Sequence, residues 1–170
     1  MKIERAWAMP NKDTFKIKPI RELLNEEVKG SIIIDPFSNG ERKYATETND
    51  LNPNVDADHH LDAYDWLKTL PNNYADIVLY DPPYSLRQVS ESYHNVGRQV
   101  TMVDTQSSWR RKHLDEIARI LKTGGKCISF GWNSNGVGKK RSFKIFRVLI
   151  VAHGGMHNDT IVTCEKKIES

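Results

Sequence analysis

Along this chain, short apolar runs alternate with segments in which apolar residues recur at helical spacing. The strand-like runs are Ser31–Ile34, a weaker one at Tyr44–Thr48, then Ala75–Tyr80, Lys126–Gly131, Lys144–Ala152 and Asp159–Glu165. Ile32-Ile33-Ile34 and Ile77-Val78-Leu79-Tyr80 are apolar throughout, as expected of strands covered on both faces. Helical spacing predicts helices over Ile20–Glu27, Leu61–Leu70 and Ser107–Leu121. In the last, Trp109, Leu114, Ile117, Ile120 and Leu121 share a face, Ser107 or Ser108 offers an N-cap, and Gly124-Gly125 follow its end. Strands alternating with helices argue for an α/β sheet. Only the turn-like stretch from His153 to Asn158 separates the last two strand runs, which suits an antiparallel pair. The pattern therefore predicts a Rossmann-like sheet, mostly parallel, finished by a C-terminal antiparallel hairpin.

Two stretches fall outside the pattern. Ser85–Gln106 is long, polar and poorly periodic, and Trp132–Ser142 is rich in Gly, Asn and Lys; both read as loops. The chain shows no repeat and no low-complexity tract.

Composition narrows the class. With 170 residues, 38% of them hydrophobic and 28% charged, the sequence fits a single domain over 1–170 with a real core. These proportions exclude a collagen-like chain and argue against global disorder. No apolar run approaches the ~20 residues that span a bilayer, so no membrane partner is expected. The N-terminus lacks the apolar region of a secretory signal. Cys127 and Cys164 lie in strand-like runs and suggest buried thiols in a reducing, cytoplasmic compartment. The net charge of +3 is too mild to argue for a polyanionic partner by itself.

The sharpest chemical signal is Asp81-Pro82-Pro83-Tyr84, directly after the strand Ala75–Tyr80. In open α/β sheets, ligands bind outside the carboxyl ends of the strands, where this tetrapeptide sits. A carboxylate can accept a hydrogen bond from an exocyclic amino group. The prolines remove backbone donors and stiffen the turn, leaving the Pro82 carbonyl as a second acceptor. Tyr84 offers a flat face on which a base can stack. A bare strand-ending turn uses the same residue types, but the aromatic and the preceding apolar strand favour the chemical reading.

With these residues the sequence resembles the S-adenosylmethionine-dependent adenine-N6 methyltransferases of the Asp-Pro-Pro-Tyr type, in particular small phage-encoded members acting on DNA. That family places a strand ending in Asp-Pro-Phe before its catalytic motif, and here Asp35-Pro36-Phe37-Ser38 follow Ile32-Ile33-Ile34. The resemblance implies a class I methyltransferase fold in which Asp35, Pro36, Phe37 and Ser38 contact the methionine part of the cofactor. It implies that an acid in Asn49-Asp50-Leu51, Asp50 by choice, binds the ribose hydroxyls, and that Asp62 and Ala63 contact the cofactor adenine. The segment Trp7–Ile20, through Trp7, Ala8, Pro10 and Phe15, resembles the N-terminal motif that cradles the methionine moiety. The implied catalytic residues are Asp81, Pro82, Pro83 and Tyr84, with Asp81 also beside the cofactor. The implied reaction is direct methyl transfer to a flipped adenine in DNA, costing a few kcal/mol of unstacking. RNA as substrate, and a non-catalytic partner subunit that keeps the fold, are the alternatives.

The chain departs from the family pattern in three places. Asn39 and Glu41 stand where loop glycines are expected, and Asn tolerates positive φ better than most residues. The stretch between Asp35 and the Tyr44–Thr48 run is too short for a crossover of about a dozen residues, so the first crossover helix is expected to be short or missing. No separate target-recognition domain is expected, which would leave recognition to the two loop stretches, to a second copy in a homodimer or to a partner subunit.

Basic residues cluster after the catalytic motif: Arg87 and Arg98, Arg110-Arg111-Lys112, and Lys139-Lys140-Arg141, interleaved with Tyr93, Trp109 and Trp132. Arg87, Arg98, Arg110, Arg111, Lys139, Lys140 and Arg141 are therefore candidate nucleic-acid contacts on connections leaving the strand ends. Asp56 to Asp62, with His59 and His60, has the composition of a metal cluster. Consecutive residues at a helix start fan outwards and acids there favour the helix dipole, so no metal is expected.

Overall fold

The computed structural model describes residues 1–99 and 107–169. Its strands are β1 (Lys2–Trp7), β2 (Ile33–Asp35), β3 (Glu47–Thr48), β4 (Ala75–Tyr80), β5 (Leu121–Gly131), β6 (Phe143–Ala152) and β7 (Thr160–Lys167). Its helices are α1 (Lys18–Glu27), α2 (Ala63–Thr69), α3 (Leu86–Asn95) and α4 (Ser107–Ile120). The strands form one sheet in the order β1-β6-β7-β5-β4-β2-β3. Every pairing is parallel except those of β7, which runs antiparallel between β5 and β6. Six carboxyl ends therefore share one edge of the sheet. The expected mostly parallel sheet with a closing antiparallel hairpin is present.

Local chemistry places the elements. Pro19 sits in the first turn of α1, where its missing N–H costs nothing. Asp62 caps α2 by accepting hydrogen bonds from Tyr64 N and Asp65 N, and the helix stops before Pro71. β4 ends where Pro82 and Pro83 remove the donors a further ladder would need. No helix lies between β2 and β3 among the described residues, as their short spacing predicts.

Each sheet face carries its own core. On one, Ile20, Leu23 and Leu24 of α1 pack on Ile77, Leu79, Ile128 and Val151. On the other, Trp66, Leu67, Leu114 and Ile117 of α2 and α4 cover Ile34, Val78, Tyr80 and Cys127. Trp66 is 1% exposed, and its replacement by Ala would cost about 3–5 kcal/mol.

Two elements differ from the sequence-based expectation. β1 joins the sheet edge beside β6, and Arg147 of β6 anchors it by reaching Glu4 at 2.6 Å and Glu26 and Glu27 of α1 at 2.6 and 3.0 Å. Its apolar residues Ile3 and Trp7 point outward and only Glu4 and Ala6 point inward, so no inward hydrophobic alternation marks it. The expected loop at 85–106 instead begins with α3, while residues 100–106 lie outside the described residues. Among the described residues no helix is long and apolar enough to cross a membrane.

Candidate active site

A cleft of about 590 Å³ opens at the shared carboxyl edge. Its walls are the loop after β2 (Pro36, Phe37, Asn39), the loop after β3 (Asp50, Leu51, Asn52) and the start of α2 (Asp62, Ala63). Asp81-Pro82-Pro83-Tyr84 forms its floor, α3 crosses it with Gln88, Val89, Ser92 and Tyr93, and Asn11, Lys12, Thr14 and Trp109 complete it. A smaller cavity of about 110 Å³ adjoins, sharing Lys12, Thr14, Phe37, Asn39 and Asp81 and adding Phe15, Ser38 and Glu41. The larger volume lies within the range of ordinary cofactor sites.

Asparagine and aspartate build the loop walls. The Asp50 carboxylate accepts from Asn39 N at 2.8 Å and from Asn52 N at 2.9 Å, tying the β2 and β3 loops together. Asn39 has φ 47° and Gly40 φ 79°, so the asparagine adopts the left-handed backbone for which the sequence suited it. Asn49 is fully buried; its amide donates to Pro36 O and Leu61 O and accepts from Leu61 N. Asn49 thus braces three loops from behind and does not reach the cleft wall.

The reactive end of the cleft is Asp81. Its carboxylate accepts a 2.6 Å hydrogen bond from the Tyr84 hydroxyl. Burial pushes the Asp81 carboxyl up to about 6, and the Tyr84 and Thr14 side chains pull it back toward the ionised form. The Tyr84 hydroxyl is itself raised, by burial first and by the neighbouring Asp81 charge. Tyr84 N donates to Gln88 Oε1 at 2.6 Å, and its ring meets Trp132 edge-on at 5.9 Å. The segment therefore presents a carboxylate and an aromatic face side by side.

At the other end, Asp62 Oδ2 accepts from the Tyr93 hydroxyl at 2.7 Å, which in turn accepts from Trp109 Nε1 at 3.1 Å. Arg98 stands 3.5 Å from the same Asp62 oxygen. Behind Phe37, His113 accepts or donates through Nδ1 to the Tyr80 hydroxyl at 2.9 Å, and burial lowers that imidazole to about 4, so it stays neutral.

Two buried polar atoms near the end of β2 lack a hydrogen-bond partner among the described residues: Asp35 Oδ2 and Ser38 Oγ. Asp35 is fully buried, and burial pushes its carboxyl well above the carboxylate range. Ser38 lines the smaller cavity and Asp35 lines neither, so of the two only the Ser38 hydroxyl is placed to bond a ligand there. The unpartnered Ser38 hydroxyl, the acids at Asp50 and Asp62 and the cleft volume together fit S-adenosylmethionine.

Most of the expected site residues meet at this cleft. Pro36, Phe37, Asp50, Leu51, Asp62, Ala63 and the 81–84 segment line it, and Phe15 and Ser38 line the adjoining cavity. Asp35, Trp7, Ala8 and Pro10 are not among the lining residues: Asp35 is fully buried at the end of β2, Trp7 ends β1 and is 66% exposed, Ala8 packs on the α1 core and Pro10 is exposed. Asn11, Lys12 and Thr14, a few residues on, take the wall position instead. Tyr93 and Trp109, read from sequence as companions of basic residues, instead close the cleft over Asp62.

The basic residues divide. Arg87 is exposed and pairs with Glu91, Arg98 faces Asp62, Arg110 lies over the Tyr80 ring at 5.3 Å, and Arg111 is exposed. Lys139–Arg141, expected near the strand ends that carry the motif, lie instead at the opposite edge. They immediately precede β6, and a parallel β5-to-β6 crossover must return the chain to the amino edge before β6 can start. Arg141 is tied to Asp115 at 2.7 Å and to Val137 O. In the acidic stretch 56–62, Asp56 and Asp58 grip Arg42, and Asp58 also accepts from Thr48.

No protein-family model matches the chain, and no curated protein matches it by sequence. Solved structures do match in shape. TrmN from Thermus thermophilus superposes with a TM-score of 0.57 at 14% identity, over 89% of this chain and 49% of that one. The tRNA m1G37 methyltransferase of M. jannaschii gives 0.56 at 11% identity, over 88% and 46%. The 1,6-didemethyltoxoflavin-N1-methyltransferase of Burkholderia thailandensis, solved with S-adenosylhomocysteine, gives 0.55 at 10% identity, over 89% and 78%. This chain spans about half the length of the first two. What the likeness establishes is the fold, a Rossmann-like sheet of the kind these methyltransferases share.

Proposed function

We propose that this chain is an S-adenosylmethionine-dependent methyltransferase that modifies the N6 amino group of adenine in DNA. One observation carries the reading: Asp81, hydrogen-bonded by Tyr84, stands at the carboxyl end of β4 in a cleft whose far walls hold Asp50 and Asp62. The likeness in fold to solved methyltransferases supports it.

In this reading Asp50 and Leu51 hold the cofactor's ribose, Asp62 and Ala63 its adenine, and Asp35, Pro36, Phe37, Ser38 and Phe15 its methionine end. Asn49 positions these loops, and Lys12 and Thr14 take the place expected of Trp7, Ala8 and Pro10. When bound, S-adenosylmethionine supplies an electrophilic methyl group on a cationic sulfur. Ionised Asp81 and the Pro82 carbonyl accept hydrogen bonds from the adenine amino group and draw its lone pair out of conjugation with the ring. Tyr84 holds the flipped base by its ring face, and Pro83 stiffens the turn. Positioning and pre-arranged acceptors supply most of the rate enhancement. Arg87 and Arg111, exposed on α3 and α4, are the arginines placed for phosphates around the target base, while Arg98 and Arg110 are held by Asp62 and the Tyr80 ring.

RNA is the second reading, favoured by the likeness to a tRNA methyltransferase and by base contacts that leave the sugar unread. The test is incubation with methyl-labelled cofactor and duplex DNA, single-stranded DNA or RNA, followed by mass spectrometry of the nucleosides. Label on N6 of deoxyadenosine supports the DNA reading, and label on adenosine alone moves the substrate to RNA. No labelled adenine in any of them defeats the proposal.

A further inference from the structure

The cleft wall is acidic, with Asp50, Asp62, Asp81 and Glu91 against Lys12. Cations gather instead at the amino edge of the sheet. The register sets Lys126 of β5 opposite Lys166 of β7, and Lys166 opposite Lys144 of β6. Paired residues share a face, so three lysines stand side by side on neighbouring strands about 5 Å apart. Like charges placed directly opposite destabilise a sheet. Only Lys126 is neutralised, by Glu27 at 2.9 Å. Lys144 and Lys166 are exposed, and among the described residues neither has an ion-pair partner.

The turn before β6 brings two more to the same edge, from the face that α4 covers. Lys139 and Lys140 are exposed, while Arg141 beside them is consumed by Asp115. The turn is built, not loose. The buried Glu165 carboxylate accepts from Val137 N at 2.5 Å and Gly138 N at 3.0 Å, and Ile168 N donates to Ser142 O at 2.8 Å. Gly136 leaves no room for a side chain beside Glu165, because an added Cβ would collide with that carboxylate.

We propose that Lys139, Lys140, Lys144 and Lys166 form a second nucleic-acid surface that holds phosphate backbone remote from the target base. β6 has 10 residues, so at ~3.3 Å per residue this corner lies ~30 Å from the cleft edge. It is therefore separate from the contacts around Asp81. The choice of nucleic acid over other polyanions rests on the proposed function: the few arginines near the cleft are set against its acids, so cations at the amino edge add phosphate attraction that the cleft supplies weakly.

The experiment measures binding of labelled duplex DNA and RNA to the full chain across a salt series, by anisotropy. The variants are K144Q/K166Q, K139Q/K140Q, their combination, and Lys43→Gln as a surface control. Each phosphate left without its lysine lowers the slope of log affinity against log salt by about 0.9 on duplex DNA, so the combined variant should show a slope smaller by about 3 to 4 and a tenfold or greater drop in affinity. Its melting temperature should not fall, since removing opposed like charges relieves the sheet. The salt series is read without cofactor or turnover, so a failed methylation assay leaves this surface standing. An unchanged slope in the combined variant overturns the proposal. So does a wild-type preference for anionic-lipid vesicles over both nucleic acids.

Discussion

The Tyr84 hydroxyl donates to Oδ1 of Asp81 at 2.6 Å, across a single turn of the chain. Two opposed effects meet in that bond. Burial pushes the Asp81 carboxyl up to about 6, and the hydroxyl, by bonding the charged form, limits the rise.

Tyr84→Phe removes the larger of the two opposing bonds and leaves that of Thr14, so the Asp81 carboxyl should move above its present value of about 6. The proposed chemistry needs the ionised form. The acid limb of the kcat/KM profile should therefore fall near pH 6 in wild type and at higher pH in the variant. Identical acid limbs would detach Asp81 ionisation from turnover.

Asp81 should also cost stability. Its folded-state carboxyl is raised above its unfolded value, so the native state binds more protons between pH 4 and 6 and stability from this group falls as pH rises through that window. Asp81→Asn should then stabilise the chain at pH 7 by on the order of 1–3 kcal/mol, with the gain vanishing near pH 4. Denaturant melts at the two pH values check this; a variant less stable at pH 7 would contradict it.

Asp35 predicts a pH-dependent cofactor affinity. Burial holds its carboxyl well above the ordinary range, and Asp81, Asp50 and Glu41 push the same way. A cationic ligand held in the cavity that Ser38 lines would favour the ionised form of Asp35, so binding would release a proton and affinity would rise with pH. Calorimetry with S-adenosylmethionine should show that rise in wild type and a flatter response in Asp35→Asn. A flat wild-type curve would remove Asp35 from the cofactor site.

Tyr93 ties α3 across the cleft by bonding Asp62 at 2.7 Å and Trp109 at 3.1 Å. Tyr93→Phe should loosen α3 locally by about 1–2 kcal/mol while leaving the sheet untouched. Hydrogen exchange in residues 86–95 should speed up and cofactor KM should rise more than kcat falls. Unchanged exchange in that helix would show the bond to be incidental.

The parallel core and the catalytic turn were legible because their signals are local. A strand buried on both faces, as β4 is, must be apolar at every position, and Pro82-Pro83 can only end it. The missing helix after β2 followed from chain length alone. β1 was hidden because an edge strand anchored through the ion pairs of Glu4 carries no hydrophobic period. α3 was hidden because its buried apolar positions, among the described side chains, are only Val89 and Tyr93. Its one sequence signal was Ser85 three residues before Gln88, a cap confirmed by Gln88 N donating to Ser85 Oγ at 3.2 Å. The placement of Lys139–Arg141 could not be read from charge, since only the strand order tells which edge a crossover returns to.

The central claim is that Asp81 accepts the adenine amino group and thereby drives methyl transfer. Its most direct test is single-turnover formation of N6-methyladenine on saturating DNA by wild type and Asp81→Asn, with cofactor binding measured in parallel. The account predicts a loss of at least 10²-fold in rate with cofactor affinity kept within a few-fold, since the carboxylate acts mainly on the transition state. A variant that methylates at the wild-type rate would contradict it.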